Sequence, residues 1–196
     1  EVITSFLDKK CHEKDLHNHY HRGRRWYGET INGGGGTQSF SFEFQNVDMS
    51  RPAFLEVGFV GASSTETFYL NVMVNDNPVL ENIYISKSGA YSFGVEKVES
   101  SEFDVDSEIV NVTLSSTAEN ISSIVGVDYI SVNAWRSLRY DDRQLAFGLS
   151  HGLGLMKSKL VKIENASPDM LLFDVSEPLN PRFQRFSAEG EGISFR

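Results

Sequence analysis

Apolar and polar residues alternate along most of this chain with a period of two, as expected for β-strands that bury one face. The clearest case is Phe40, Phe42 and Phe44, which are separated by Ser41 and Glu43. Related patterns predict strands at residues 55–59, 68–74, 79–85, 90–97, 108–114, 127–134, 143–149, 157–164 and 170–175. No window has the spacing of a long amphipathic helix. Many short strands favour an all-β fold, an antiparallel β-sandwich of jelly-roll type.

Residues that favour turns separate these predicted strands. The four glycines at 33–36 predict a flexible turn, because glycine has the widest choice of backbone conformations. The sequence Asn75-Asp76-Asn77-Pro78 predicts a turn at the end of a strand. The Ser, Glu and Asp residues around 99–107 predict a break between strands.

The pattern changes at both ends of the chain. Residues 1–21 are polar and rich in histidine, and they predict an arm or the end of a preceding element. The β-sandwich domain is expected at residues 22–164. Residues 165–196 include Pro168, Pro178 and Pro181, which favour a short extended, turn-rich segment leading toward a following domain.

Composition and charge exclude several classes of protein. The net charge of −9 over 196 residues argues against nucleic acid as a partner. No apolar run approaches the ~20 residues that cross a bilayer, so we expect no membrane span. Cys11 is the single cysteine, which excludes an intrachain disulfide. We interpret the chain as a piece of a longer extracytoplasmic protein, either secreted or at the cell surface.

Alternating histidines near the start of the chain raise the question of a metal site. His17, His19 and His21 would share one face of a strand and offer nitrogen ligands to a metal. The alternative is an exposed polar arm, which would lose conformational entropy on binding a metal. We favour the arm, and therefore predict neither a metal nor a cofactor.

No catalytic residue is predicted. Cys11 and His12 are neighbours in sequence, whereas a nucleophile and its base usually meet across a fold. His151 lies between Ser150 and Gly152, which is consistent with a reactive loop histidine but more typical of a turn between two strands.

Four aromatic residues are candidates for ligand binding: Trp26, Tyr27, Trp135 and Tyr140. Aromatic platforms with polar groups are common in sugar sites, and arginine stacks on aromatic faces, as the Arg25-Trp26-Tyr27 sequence would allow. The alternative for Trp26 is a structural role, in which its ring packs under the sandwich while Glu29 pairs with an arginine. We favour the structural role for this segment.

Three segments resemble, in the same order, the type IX secretion sortases, which are gingipain-type cysteine peptidases. Block 1 is residues 22–29 (RGRRWYGE), block 2 is 127–138 (VDYISVNAWRSL) and block 3 is 172–181 (LFDVSEPLNP). Arg22, Phe173 and Ser176 depart from the Ser, Trp and Thr of the family pattern. The resemblance implies the β-rich region that precedes the peptidase domain, whose catalytic His and Cys lie in that later domain.

Three functions follow from these observations. The first is a non-catalytic β-sandwich region that supports a downstream cysteine peptidase domain or holds its exported protein substrate. The second is a carbohydrate- or protein-binding module of a secreted or surface protein. The third is a purely structural, adhesin-like domain.

Overall fold

The computed structural model describes residues 2–18, 25–89, 94–149 and 159–196. Throughout these residues the chain forms strands and no helix, which confirms the all-β prediction. The strands are β1 (Val2–Ile3), β2 (Ser5–Glu13), β3 (Thr30–Asn32), β4 (Thr37–Glu43), β5 (Ala53–Ala62), β6 (Phe68–Val74), β7 (Asn77–Ile85), β8 (Val95–Phe103), β9 (Ile109–Ser116), β10 (Ile124–Ser137), β11 (Leu160–Glu164), β12 (Phe173–Asp174), β13 (Arg182–Phe183), β14 (Ser187–Glu189) and β15 (Gly192–Phe195).

The chain divides into two compact units, which are described separately. The sandwich unit comprises Lys9–Phe44 and Met49–Ala134. The C-terminal unit comprises Glu1–Asp8, Gln45–Asp48 and Trp135–Arg196. Two of the four boundaries between the units fall inside β2 and β10, and the other two flank the segment Gln45–Asp48.

Two antiparallel sheets form the sandwich unit. The first sheet has the order β2–β10–β5–β8, with β3 also paired to β10, and the second has the order β4–β9–β6–β7. Because most successive strands alternate between the two sheets, these orders are those of a jelly roll. The predicted β-sandwich is therefore confirmed.

The core of the sandwich lies on the inward faces that the alternation predicted. Phe40, Phe42 and Phe44 are all buried, and so are the inward residues of β5 and β6. Ile85 of the second sheet fills the space above Gly61 of the first, where a Cβ atom would approach its Cγ2 to 2.5 Å. Burial of this apolar area is the main stabilising contribution, at about 25 cal/mol per Å².

The backbone conformations of the two predicted turns explain why Asn, Asp and Gly occur there. Asn75 and Asp76 have φ of 45° and 65°, as required at both central positions of a type I′ turn, and they join β6 to β7. In the glycine turn, Gly34 and Gly35 have φ of 76° and 81°. At Gly33 a Cβ atom would lie 2.0 Å from the carbonyl oxygen of Asn120.

Two edge strands of the first sheet differ from the sequence predictions. β2 lies within residues 1–21, where an arm was expected, and β8 runs through Glu99–Phe103, where a break was expected. Each strand has a sheet neighbour on one side only, and side chains along β8 alternate between exposed and half-buried. Polar and charged residues are typical of edge strands, so the apolar signal is weak there.

In the C-terminal unit, β1, β11, β15 and β14 form one sheet, with β1 parallel to β11, and β12 pairs with β13 in a short hairpin. The strand predicted at 143–149 is absent. Its alternation has another cause, because Leu145, Phe147 and Leu149 pack against a small core made by Phe6, Leu138 and Val161. Of the strand predicted at 170–175, only Phe173–Asp174 is present.

A buried arginine joins three segments of the C-terminal unit. Nη1 of Arg136 lies 2.8 Å from Oδ2 of Asp8, and Nε donates a 2.6 Å hydrogen bond to the carbonyl of Gln45. The guanidinium also lies 5.3 Å from the ring centroid of Phe6. Arg136 belongs to block 2, so this part of the resemblance has a structural role.

Candidate functional site

Residues 25–29 of block 1 and residues 127–134 of block 2 lie side by side in the sandwich unit. The amide of Gly28 donates a 2.6 Å hydrogen bond to the carbonyl of Val127, and the amide of Val127 donates to the carbonyl of Glu29 at 3.0 Å. A Cβ atom at Gly28 would lie 3.2 Å from the carbonyl oxygen of Lys14, so glycine permits this close approach. Residues separated by about a hundred positions are thus joined directly.

Tyr27 is covered rather than open to a ligand. Only 5% of it is exposed, and its hydroxyl donates a 2.9 Å hydrogen bond to Oε1 of Glu96. The second oxygen of Glu96 accepts from Nη1 of Arg25 at 2.6 Å. Burial, followed by the hydrogen bond to Glu96, raises the pKa of Tyr27 to about 12. At neutral pH the hydroxyl is therefore a proton donor and a poor base.

Asp128, in block 2, lies in the same charged surroundings. Burial raises the pKa of its carboxyl, Arg25 opposes that effect, and the negative charges of Glu96 and Asp15 add to it. Three carboxylates around one arginine do not by themselves make a site. The arrangement holds the block 1 segment against β10 and β8.

Glu29 is fixed by two cationic or ionisable neighbours. Its oxygens lie 2.9 Å from Nε2 of His12 and 2.8 Å from Nζ of Lys14. Burial alone would raise the pKa of Glu29, but the hydrogen bonds from Lys14 and His12 outweigh it and lower the pKa to about 2. The expectation that Glu29 pairs with an arginine is wrong, because its partners are a lysine and a histidine.

The structure gives no evidence for a cysteine nucleophile or a metal centre within its described part. Cys11 is exposed on β2, while the neighbouring His12 contacts Glu29 and the ring of Phe40. No group of three His, Cys, Asp or Glu side chains that could hold a metal occurs among the described residues. His19, His21 and His151 lie outside the described residues.

The other residues predicted to bind a ligand are divided between the two units. Trp26 is 46% exposed in the sandwich unit. Trp135 is half-buried in the C-terminal unit, where its carbonyl accepts from the amide of Asp48. Tyr140 is also half-buried and packs against the cluster of Ile163, Ala166 and Ile193. Ligand binding by Trp26, Tyr27, Trp135 and Tyr140 stays a prediction.

Block 3 forms an exposed apolar hairpin, which we define as residues 171–183. The rings of Phe173 and Phe183 meet edge to face across β12 and β13, with centroids 5.9 Å apart. Leu179, at the turn of this apolar hairpin, is fully exposed. Four more apolar side chains of the hairpin are at least half-exposed, namely Leu171, Phe173, Val175 and Phe183, whereas Leu172 packs against the cluster of Ile163, Ala166 and Ile193. Clustered exposed apolar groups commonly mark an interaction surface.

A second exposed feature, the Tyr69–Tyr84 pair, was missed by the sequence analysis. These residues are paired across β6 and β7, with ring centroids 5.9 Å apart at 61°, and they are 41% and 49% exposed. The alternation that buries Phe68 and Leu70 places Tyr69 on the opposite face. The alternation of β6 therefore indicates that Tyr69 faces outward, whereas its pairing with Tyr84 depends on the register of β6 and β7.

A shallow cavity of about 480 Å³ lies in the C-terminal unit beside β11 and β15. Its lining includes the ion pair between Lys162 and Glu189, at 2.7 Å. The lining also includes Arg139, Glu164 and Glu191, so it carries charged side chains of both signs. Among the described residues, no helix is long and apolar enough to cross a membrane.

Comparisons with known proteins give a fold but not a family. No family model matches the chain, and no curated protein matches it in sequence. The structure is similar to that of dimeric latent PorU from Porphyromonas gingivalis, with a TM-score of 0.80, 16% identity, and coverage of 99% of this chain. The chain spans only 19% of the length of that PorU chain.

Two carbohydrate-binding modules are more distantly similar. One is a family 35 module from an environmental isolate, with a TM-score of 0.42, 14% identity, and coverage of 65% of this chain and 88% of the module. Another is a CBM36 in complex with calcium and xylotriose, with a TM-score of 0.40, 14% identity, and coverage of 66% and 99%. TM-scores this low carry no functional argument. The chain thus shares its all-β fold with part of PorU.

Proposed function

We propose that this chain is a non-catalytic β-sandwich region of a gingipain-like, sortase-like cell-surface protein. Its role would be to position a cysteine peptidase domain that follows it, or to hold that domain's exported substrate. The similarity to PorU over 99% of the chain is the observation that carries the proposal. The resemblance of three ordered sequence blocks to the type IX secretion sortases supports it independently.

The chemistry of the described residues agrees with a supporting role. His12 is engaged with Glu29, and the Tyr27 hydroxyl is a neutral donor to Glu96. A hydrolytic site needs a nucleophile within hydrogen-bond reach of its base. No such pair involving Cys11 is found in the parts of the chain that the structure describes.

The apolar hairpin offers a surface for the following domain. Fully exposing Leu179 and half-exposing two Phe rings is unfavourable in water, since burying one such side chain is worth about 1.5–3 kcal/mol. A domain that covers Phe173, Leu179 and Phe183 would recover that energy. Block 3 would then be the segment that fixes the peptidase domain in place.

The experiment uses the full-length protein that carries this chain. Leu179→Ser and Phe183→Ser, separately, are compared with Val98→Ser, a control at a 58% exposed position of β8. We expect the hairpin variants to lower the rate at which sorting signals are cleaved from exported proteins at least fivefold, with an unchanged melting temperature of the sandwich. The proposal is wrong if the residues after Arg196 encode no peptidase domain, or if the hairpin variants cleave like the control.

The second candidate is a carbohydrate- or protein-binding module. The exposure of Trp26 favours it, since a half-exposed indole can stack on a ligand. A glycan array with the wild-type chain and Trp26→Ala tests this site, and unchanged binding by the variant would eliminate Trp26 as its platform.

A further inference from the structure

The outer face of the second sheet has a different composition from the rest of the surface. Its outward side chains on β4, β9 and β6 are small, polar or neutral apart from Glu43 at the last residue of β4, and β7 adds the exposed Glu81. They comprise Thr37, Ser39, Ser41, Asn111, Thr113, Ser115, Tyr69, Asn71 and Met73, and Ile109 lies beside Glu43. The other exposed side chains of these four strands carry no charge, although the chain as a whole has a net charge of −9. By contrast, β8 of the first sheet exposes Glu96 and Glu102.

The Tyr69–Tyr84 pair lies at one corner of this face. Glu43 lies at the diagonally opposite corner, because it pairs with Ile109 at one end of β9 while Tyr69 bonds to Thr117 beyond the other end. No side chain among the described residues hydrogen-bonds to either tyrosine hydroxyl. The pair therefore presents two half-exposed rings and two available hydroxyl groups.

Polar side chains continue from the tyrosines across the sheet. Asn71 follows Tyr69 on the same face of β6, pairs with Ser115 on β9, and Ser115 pairs with Thr37 on β4. Neighbouring strands are about 4.8 Å apart, so these residues form a row roughly 10 Å long. Oδ1 of Asn71 accepts a 2.7 Å hydrogen bond from the amide of Asn82, which fixes the side chain and leaves its NH₂ group as a donor.

We propose that this tyrosine face, defined by Tyr69, Tyr84, Asn71, Ser115 and Thr37, binds an uncharged oligosaccharide. A sugar ring has an apolar C–H surface that packs on an aromatic ring, and hydroxyl groups that need neutral donors and acceptors nearby. The tyrosine face supplies the rings at Tyr69 and Tyr84 and the neutral polar groups in the adjacent row of Asn71, Ser115 and Thr37. The net charge of −9 also disfavours an anionic glycan, which the negative field of the chain would repel.

A protein partner is less compatible with the same face. The central part of a protein–protein interface is usually a contiguous apolar patch. Here the apolar groups beside the tyrosines are interrupted by Asn71, Ser115 and Thr113. The inference gives the carbohydrate-binding candidate a location different from Trp26, and it holds whether or not a peptidase domain follows the chain.

The test measures binding of the whole chain to neutral gluco-, xylo-, manno- and galacto-oligosaccharides of three to six units, with oligogalacturonate as the acidic comparison. Tyr84→Ala and Tyr69→Ala remove the rings, and Phe54→Ala, at a 36% exposed aromatic position of β5, is the control. Loss of one stacked ring is expected to weaken binding about tenfold, whereas Phe54→Ala leaves it unchanged. Tyr84→Phe keeps the ring and should retain most of the affinity.

Three outcomes would overturn the proposal. The first is that the wild-type chain binds no neutral oligosaccharide although its circular dichroism spectrum shows a folded β-sheet protein. The second is binding that is lost in Trp26→Ala but kept in Tyr84→Ala. The third is concentration-dependent self-association that Tyr84→Ala abolishes, without sugar binding, which would make the face a protein interface. If the proposal of a following peptidase domain failed, the interpretation of these three outcomes would not change.

Discussion

Replacing Glu29 by glutamine should destabilise the chain at neutral pH and should do so less as the pH falls. The contacts with Lys14 and His12 lower the pKa of Glu29 from its ordinary 4.5 to about 2. A tenfold change in proton affinity corresponds to about 1.4 kcal/mol, so the upper limit of the stabilisation is about 3 kcal/mol. The Lys14 side chain is 52% exposed, and screening by water reduces the expected value to about 2 kcal/mol.

The pH dependence has a definite sign. Because the folded-state pKa is below the unfolded one, the folded chain binds fewer protons at this site, and the stabilisation is fully present above pH 4.5. It is lost as the pH falls through the folded-state value of about 2. The difference in unfolding free energy between wild type and Glu29→Gln should therefore shrink steadily between these two values.

Urea denaturation followed by tryptophan fluorescence, from pH 7 down to the lowest pH at which wild type is folded, measures this difference. Glu102→Gln, at an exposed position of β8, is the matched control and should change stability by less than about 0.5 kcal/mol at every pH. A difference for Glu29→Gln that stays constant over the acid range would refute the assignment of the stabilisation to its charge.

Three further substitutions test the packing of each unit, all by the same denaturation assay. Arg136→Met leaves Asp8 without its partner and should cost about 3 kcal/mol; a cost near zero would contradict the role given to this ion pair. Gly33→Ala places a Cβ atom 2.0 Å from the Asn120 carbonyl and should cost more than about 2 kcal/mol, whereas Gly89→Ala, where nothing lies within 4 Å, should cost little. Phe44→Ala removes a fully buried ring and should cost about 3–5 kcal/mol, and a cost below 1 would place the ring outside the core.

The sequence predicted the strands of the sandwich wherever one face of a strand is buried in the core and the other is exposed to water. Phe40, Phe42 and Phe44 alternate with polar residues because one side of β4 meets the core and the other meets water. The turn at Asn75 and Asp76 was predictable for a similar local reason, since these residue types tolerate positive φ. Both signals depend only on neighbours in sequence.

Features that depend on distant parts of the chain were not predictable. β2 lacks alternation because it is an edge strand, and its pairing with β10 joins residues more than a hundred positions apart. Apolar and polar residues alternate at 143–149 although no strand forms there. The same pattern arises because every second side chain packs against a core. Predicting the tyrosine face would require the pairing of β6 with β9, which no local sequence pattern indicates.

Hydrogen–deuterium exchange at the apolar hairpin, residues 171–183, tests the central claim of a β scaffold that supports chemistry located in a following domain. The exchange rates are compared between this chain alone and the full-length protein that carries it, with β8 as an internal reference. The account predicts slower exchange at the hairpin in the full-length protein and equal exchange along β8. Equal exchange at the hairpin in both proteins would contradict it.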